Sequence, residues 1–380
     1  MELTQDFKSA LWVLEKLENN GFEAYFVGGS VRDLLLGKPS NDIDITTSAT
    51  PLEVKDIFKK TIDIGIEHGT VLVLGREENY EVTTFRTDGT YSDHRRPEKV
   101  EFVRSLKEDL RRRDFTINAF ALSANGEIVD MFDGLSDLKN KILRTVENPF
   151  ERFDEDALRI MRLSRFVSQL GFEVEPKTFE AARELSGHLE HISIERKLVE
   201  IEKLFLGDYK AQGIDVLIET RSDEYCPGFK ELKLKEFSEI EEKNIVLAWS
   251  KLLWISDVED AKAILKPWKA SNQMIKDVQS VLKWFEIADE RALNDYELYK
   301  FGLKYVELID ENYLEKYENL IIKSRDDINI DGKILMEELK RKPGVWLKIA
   351  LNLIEKNIVE KKLANKKEEI IEWISSQSLI

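Results

Sequence analysis

The chain has almost nothing with which to cross-link itself. Across 380 residues there is one cysteine, Cys226, which excludes an internal disulfide framework and fits a reducing cytoplasm. Histidine is scarce as well, with four in all. His188 and His191 stand three apart without further ligands, so nothing supports a zinc site. His68 has no second histidine at ligand spacing and reads as a loop residue. No apolar run is long enough to span a bilayer. Residues 1–20 mix apolar positions at helical spacing with acids, and lack the basic start and long apolar run of a signal peptide. Simple repeats and low-complexity segments are absent. What is abundant is charge, at 34% of residues, which favours a soluble, helix-rich protein with room for two or more domains.

The most informative stretch is Gly28-Gly29-Ser30-Val31-Arg32-Asp33, followed by Asp42-Ile43-Asp44. The first piece is a strand over 24–27, a Gly-Gly turn, and an apolar helix over 31–36. Paired glycines let backbone approach a bulky anion, and a helix start points N–H groups at it. In the second piece alternate strand residues share a face, so Asp42 and Asp44 point the same way. Two adjacent hard oxygen ligands suit Mg²⁺, and Mg²⁺ with phosphates points to phosphoryl or nucleotidyl transfer. Each half alone is common: a turn, and a solvated strand end. Their short separation, and the buried character of Ile43 and Ile45, favour a site at the edge of a core.

These residues resemble the first motif of the class II tRNA nucleotidyltransferases, the CCA-adding enzymes, which share a catalytic domain with bacterial poly(A) polymerases. The resemblance continues through Arg112-Arg113-Asp114-Phe115-Thr116-Ile117-Asn118-Ala119, Asp130-Met131-Phe132-Asp133-Gly134, Glu155-Asp156-Ala157-Leu158-Arg159-Ile160-Met161-Arg162 and Ile192-Ser193-Ile194-Glu195-Arg196. It covers the first half closely. The second half matches more loosely, through Ser271-Asn272, Ile330-Asp331-Gly332, Lys342-Pro343-Gly344-Val345-Trp346, and Asn365 with Trp373.

The expected fold is α+β: a nucleotidyltransferase (polymerase beta-like) head, then an all-helical remainder. Strands are expected over 24–27, 43–47, 70–74, 80–85 and 100–103. Beyond Asn148-Pro149 the pattern turns to nearly continuous helix, with breaks at 208–213, at Cys226-Pro227-Gly228 and at Pro343-Gly344. Following the family arrangement, residues 1–147 form the head, 148–206 a neck that reads the nucleotide, and 207–295 and 296–380 a body and tail that grip tRNA. Trp254, Trp268, Trp284, Trp346 and Trp373 lie at helical spacings among apolar residues and read as core.

The resemblance assigns Asp42 and Asp44 to two Mg²⁺ ions, with Glu81, on the 80–85 strand, as candidate third carboxylate. Gly29, Arg32 and Arg113 would touch triphosphate or sugar. Asp114 would order the arginines or cap a helix over 117–121. Asp156, Arg159, Arg162 and Arg165 recur every third residue as a slanted stripe of one helix. The bland alternative is an exposed salt-bridge ladder, worth roughly half a kcal/mol per pair. The apolar company of Phe153, Leu158, Ile160, Met161, Leu163 and Phe166 puts the stripe in a cleft instead. A carboxylate beside a guanidinium matches the amine and ring nitrogen of cytosine or adenine, and leaves buried groups unpaired with guanine or uracil. Arg162 and Arg165 would hold the base stack or phosphates. Ser193 would cap a neck helix and Arg196 support the site.

The expected activity is therefore addition of C, C and A to tRNA 3′ ends from CTP and ATP with Mg²⁺, in the cytoplasm and without a nucleic-acid template. The polar stretch 88–97 matches a loop that the family needs for the final A, and the stretch 62–70 matches its CCA-adding branch. CC-adding, A-adding and poly(A)-adding enzymes are the catalytic alternatives, the A-adding one being hardest to separate by sequence. A non-catalytic tRNA-binding protein on the same fold is another. Against an RNA partner stands a net charge of −16. Binding then depends on local basic runs, and the candidates are Arg95-Arg96, 104–107, Arg111-Arg112-Arg113, Lys340-Arg341-Lys342 and Lys361-Lys362.

Overall fold

The apolar alternation of the first third closes into a mixed sheet. In the computed structural model, residues 2–39, 42–76, 78–88 and 100–377 are described. The 88–97 stretch after Asp88, with Arg95-Arg96, lies outside them, as do Ser40 and Asn41. Among the described residues the strands are β1 (Ala24–Val27), β2 (Asp44–Thr47), β3 (Thr61–Gly65), β4 (Thr70–Leu74), β5 (Asn79–Thr84), β6 (Arg86–Asp88), β7 (Val100–Phe102), β8 (Phe120–Leu122), β9 (Ile128–Asp130) and a short parallel pair, β10 (Ile142–Leu143) with β11 (Glu173–Val174), the latter inside the stretch expected to be all-helical. Seven of them form one sheet in the order β3-β4-β5-β2-β1-β8-β9, while β6 and β7 pair separately.

The centre of that sheet fixes the registers that matter. β1 runs antiparallel to β2 with Val27 opposite Asp44. β2 runs parallel to β5 with Asp44 opposite Glu81. Helices α1 (Gln5–Glu18), α2 (Gly29–Leu35) and α3 (Pro51–Ile57) cover the sheet, and a full capping box between Thr50 and Glu53 starts the third. Gly28 holds φ +78°, a conformation glycine adopts without strain, and turns β1 directly into α2. The helix therefore begins at Gly29, two residues earlier than expected.

The sequence reading of a helix over 117–121 is wrong. Residues Thr116–Asn118 make one 3₁₀ turn, and Phe120, Ala121 and Leu122 are a fully buried strand between β1 and β9. A short apolar run fits either element, and pairing with β1 decided it. Asp130 builds the turn that follows: its carboxylate accepts from the N–H groups of Phe132, Gly134 and Leu135. This leads into α5 (Gly134–Asn140), while α4 (Leu106–Arg111) lies before β8 in the chain.

The helical part opens at Asn148, whose side chain accepts from Phe150 N, with Pro149 in the first turn of α6 (Pro149–Glu155). Next come α7 (Leu158–Leu170), α8 (Pro176–Leu185), α9 (Ile194–Phe205) and α10 (Lys210–Glu219). The break expected over 208–213 is only partly one, since Lys210 to Gly213 are helical. Ser193 stands at the start of α9, but its side chain makes no cap hydrogen bond.

The chain divides into two compact units: Met1–Ile245 with Lys266–Ala270, and Val246–Leu265 with Ser271–Ile380. The second is helical, around a core that includes Trp284, Leu298, Leu335, Ile354, Ile358 and Ile370. Trp249, Trp268 and Trp284 are fully buried, whereas Trp254 is 38% exposed and meets Phe285 edge-on. No described helix is long and apolar enough to cross a membrane.

A Cβ at Gly134 would stand 2.4 Å from the Thr116 carbonyl oxygen and 2.7 Å from the Phe120 ring. Gly134→Ala is therefore expected to destabilise the protein by about 1–3 kcal/mol, read as a lower urea midpoint. An unchanged midpoint would contradict this close packing.

Candidate active site

Three segments converge on one cleft of about 790 Å³: the β1–α2 turn, the start of β2, and the polar edge of α7. Its walls include Gly28, Gly29, Arg32, Asp42, Asp44, Arg113, Asp156, Arg159, Arg162 and Arg165. Nine of the ten residues singled out from sequence are among them. Glu81 is the exception. It lies opposite Asp44 in register, but borders a second hollow, of about 750 Å³, that Asp42 and Asp44 also line. Among the described residues, no three His, Cys, Asp or Glu side chains converge closely enough to hold a metal ion.

The turn is packed tightly onto the acidic strand. A Cβ at Gly28 would meet Asp44 Oδ2 and Arg113 Nη1, each at 3.4 Å. Burial raises the Asp44 carboxyl above its ordinary range, Arg113 opposes the rise, and Glu81 and Asp42 add to it.

Arg113 is aimed from behind by Asp109, which the sequence reading passed over. Asp109 is fully buried and accepts from Arg113 Nη2 at 3.1 Å and from Arg112 Nε and Nη2 at 3.0 and 2.9 Å. Burial alone would raise its carboxyl; the two arginines outweigh that and hold it low. The signal was present, because Asp109 precedes the arginines by three and four residues on one helical face.

A second buried acid joins the turn to the helix. Asp114 Oδ1 accepts from Phe115 N at 2.8 Å and from Asn118 Nδ2 at 3.0 Å, and Oδ2 accepts from Arg162 Nε at 2.7 Å. Asn118 in turn accepts from Arg32 Nη1 at 2.6 Å. Arg32 also pairs with Asp33 at 2.9 Å. The guanidiniums of Arg32, Arg162 and Arg165 lie 5.3, 5.3 and 4.1 Å from the Phe166 ring centre. Burial opposes ionisation of Asp114, but Arg162 and the hydrogen bonds pull its carboxyl well below the usual range.

The polar stripe differs from its expected form. Asp156 is not on the helix that carries the arginines; it occupies an extended junction (φ −141°, ψ 99°) between α6 and α7. Its Oδ1 accepts from Leu158 N at 3.1 Å, starting the second helix. Its Oδ2 is held by Arg196 Nη2 of α9 at 2.8 Å, the support expected of Arg196. Arg159 instead pairs with Glu155 at 2.8 Å and donates to the carbonyls of Arg152 and Arg112, each at 2.8 Å. Arg152 also pairs with Glu155 and donates to the Arg111 carbonyl. Arg165 is 6% exposed and pairs with Glu200 at 3.1 Å. Burial and the neighbouring Arg162 lower its ionisation to about 10, and its Nε has no hydrogen-bond partner among the described residues. Arg112, Asn118, Gln169 and Lys203 also line the cleft and were not singled out from sequence.

His68 ends a 3₁₀ turn, and its carbonyl accepts from Arg86. His188 stands 3.4 Å from Asp154.

Residues 24–144 match the poly(A) polymerase head domain family, 171–231 the family described as "Probable RNA and SrmB- binding site of polymerase A", and 241–374 tRNA nucleotidyltransferase domain 2. The CCA-adding enzyme of Streptococcus pneumoniae (strain CGSP14) is 46% identical, over 97% of this chain and 98% of that protein. The crystal structure of the Bacillus stearothermophilus CCA-adding enzyme in complex with CTP superposes with a TM-score of 0.87 at 36% identity, covering 98% of each chain. A tRNA nucleotidyltransferase complexed with a primer tRNA and an incoming ATP analog gives a TM-score of 0.58 at 26% identity, covering 90% of this chain and 98% of that one.

Because Asp114 titrates far lower folded than unfolded, its stabilisation is present above the unfolded value of about 3.9 and is lost as pH falls through the folded one. Asp114→Asn should cost about 3–5 kcal/mol at neutral pH and flatten the loss of stability below about pH 4. Urea titrations at several pH values check this; parallel pH curves for the two proteins would contradict it.

Proposed function

The chain belongs to the CCA-adding enzymes, tRNA nucleotidyltransferases that share a head domain with poly(A) polymerases, and we propose that it builds the CCA end of tRNA from CTP and ATP, choosing each nucleotide with its own side chains. The observation that carries this reading is a single cleft with Asp42 and Asp44 beside the Gly28 turn, and Asp156 and Arg159 on its neck wall.

Asp42 and Asp44 fit a divalent cation. The two stand together on the wall of the cleft and of the hollow beside it, and Mg²⁺ is commonly held by one or two carboxylates, with substrate phosphates and water completing its shell. Asp42 and Asp44 would hold two such ions, and Glu81, opposite Asp44 on β5, would add negative charge nearby without joining them as a ligand. Bound there, Mg²⁺ lowers the pKa of the primer 3′-hydroxyl and neutralises triphosphate charge. The 3′-oxygen bonds to the α-phosphorus, and the bond from that phosphorus to the bridging oxygen breaks. That oxygen leaves with the electron pair on pyrophosphate, and the hydroxyl proton passes to solvent.

The protein's part is to bind and orient. Gly29, Arg32 and Arg113 contact phosphates or sugar, Arg113 held to its task by Asp109. Asp156 accepts from the exocyclic amine of cytosine or adenine, and Arg159 donates to the adjacent ring nitrogen. For that, Arg159 exchanges part of its contact with Glu155 and the carbonyls for the base. Arg162 and Arg165 hold the base stack or phosphates. Guanine and uracil would leave these groups unpaired, a rejection on the order of a thousandfold. Residues 1–147 act as catalytic head and 148–206 as base-reading neck. Residues 207–295 and 296–380 grip tRNA, and the work is cytoplasmic.

Asp42→Ala should lower nucleotide incorporation on the order of a thousandfold or more while tRNA binding, read by filter retention, stays near wild type. Turnover near wild type would remove the metal assignment. Asp156→Ala should weaken CTP and ATP use together and narrow the gap to UTP and GTP, read from single-nucleotide incorporation rates; an unchanged gap would remove Asp156 as base reader.

A further inference from the structure

The cleft is lined by eight cationic side chains, and seven of them have a carboxylate partner. Arg32 has Asp33, Arg112 and Arg113 share Asp109, Arg159 has Glu155, Arg162 has Asp114, Arg165 has Glu200, and Arg196 has Asp156. The eighth, Lys203, has no ion pair or hydrogen bond among the described residues. It is exposed, two residues before the end of α9, and borders the cleft together with Gln169 of α7.

The position of Lys203 is set by the ladder between α7 and α9. Arg196 meets Asp156, Glu200 meets Arg162 and Arg165, and Lys203 follows three residues on, toward the end where Gln169 lies. Gln169 is ten residues beyond Arg159, roughly 15 Å of helix rise. Arg165 lies one turn before Gln169 on the same face and is already paired with Glu200. One end of the cleft therefore offers an unpaired ammonium beside a side-chain amide, away from Asp156 and Arg159.

We infer that Lys203, with Gln169 beside it, binds the terminal phosphates of the incoming nucleotide and then the pyrophosphate that leaves. This rests on the reading above, in which the base lies at Asp156 and Arg159 and the α-phosphate at Asp42 and Asp44. The β- and γ-phosphates then extend away from the base reader, toward the end that holds the unpaired ammonium. A lysine suits this task as a flexible point charge that follows the pyrophosphate outward. The guanidiniums deeper in the cleft are already fixed by carboxylates.

The test uses the full chain with Lys203→Gln and Lys203→Arg. For Lys203→Gln, KM for CTP and for ATP and the inhibition constant of pyrophosphate should rise together, about five- to tenfold. Inhibition by CMP, which has no β- or γ-phosphate, and KM for tRNA should not move, and Lys203→Arg should recover most of the loss. A rise confined to tRNA, with a shallower salt dependence, would assign Lys203 to the RNA backbone and overturn the inference. No change in any constant would make it a solvated lysine and overturn it equally. If the wild-type chain adds no CMP and is not inhibited by pyrophosphate, the functional reading falls first and takes the inference with it.

Discussion

Asp114 is a buried negative charge, and the site depends on how that charge is satisfied. Leaving such a carboxylate unpaired costs several kcal/mol, so its surroundings must supply donors on every side. Phe115 N and Asn118 do so from the head, and Arg162 does so from α7. Asn118 then fixes Arg32 beside the Gly28 turn. One residue thereby couples the Gly28 turn to the helix that carries Arg159, Arg162 and Arg165. Asp109 acts in the same way for Arg113, and Glu155 for Arg159. The arginines are held by acids behind them and present their remaining N–H groups to the cleft, which is preorganisation of the kind that makes electrostatic catalysis effective.

The same arrangement explains how an acidic protein can handle polyanions. The net charge is −16, yet the cleft is lined by more cations than carboxylates. Several basic residues outside it are neutralised locally: Arg104 by Glu53, Arg111 by Glu147, Lys361 by Asp295 and Lys362 by Glu360. Positive charge is concentrated in the cleft rather than spread over the surface. A weak, salt-sensitive hold on RNA would favour release after the last addition.

Much of this was legible in the sequence because its chemistry is local. The strand before Gly28, the glycine turn, the alternating aspartates and the arginines of α7 are each set by neighbours within a few residues. What was not legible depends on distant partners. Phe120 to Leu122 became a strand only by pairing with β1. Asp156 left the helical pattern to start a new helix and meet Arg196, forty residues away in sequence. Asp109 is the local exception: it stands in a helix of mixed charge, and its spacing to Arg112 and Arg113 was visible. Lys203 looks like any surface lysine until the partners of the other cations are known. Glu81 shows the reverse: its strand was readable, while its register opposite Asp44 and the hollow it borders were not.

The account makes one cleft responsible for both chemistry and choice of nucleotide. The most direct measurement is single-nucleotide gel analysis of a tRNA lacking its CCA end, incubated with the protein and Mg²⁺ plus CTP, ATP or both. The account predicts extension by two residues with CTP, by three with both, and then a stop. Extension with UTP or GTP, an open-ended ladder with ATP, or a stop after the second C with both nucleotides present would contradict it.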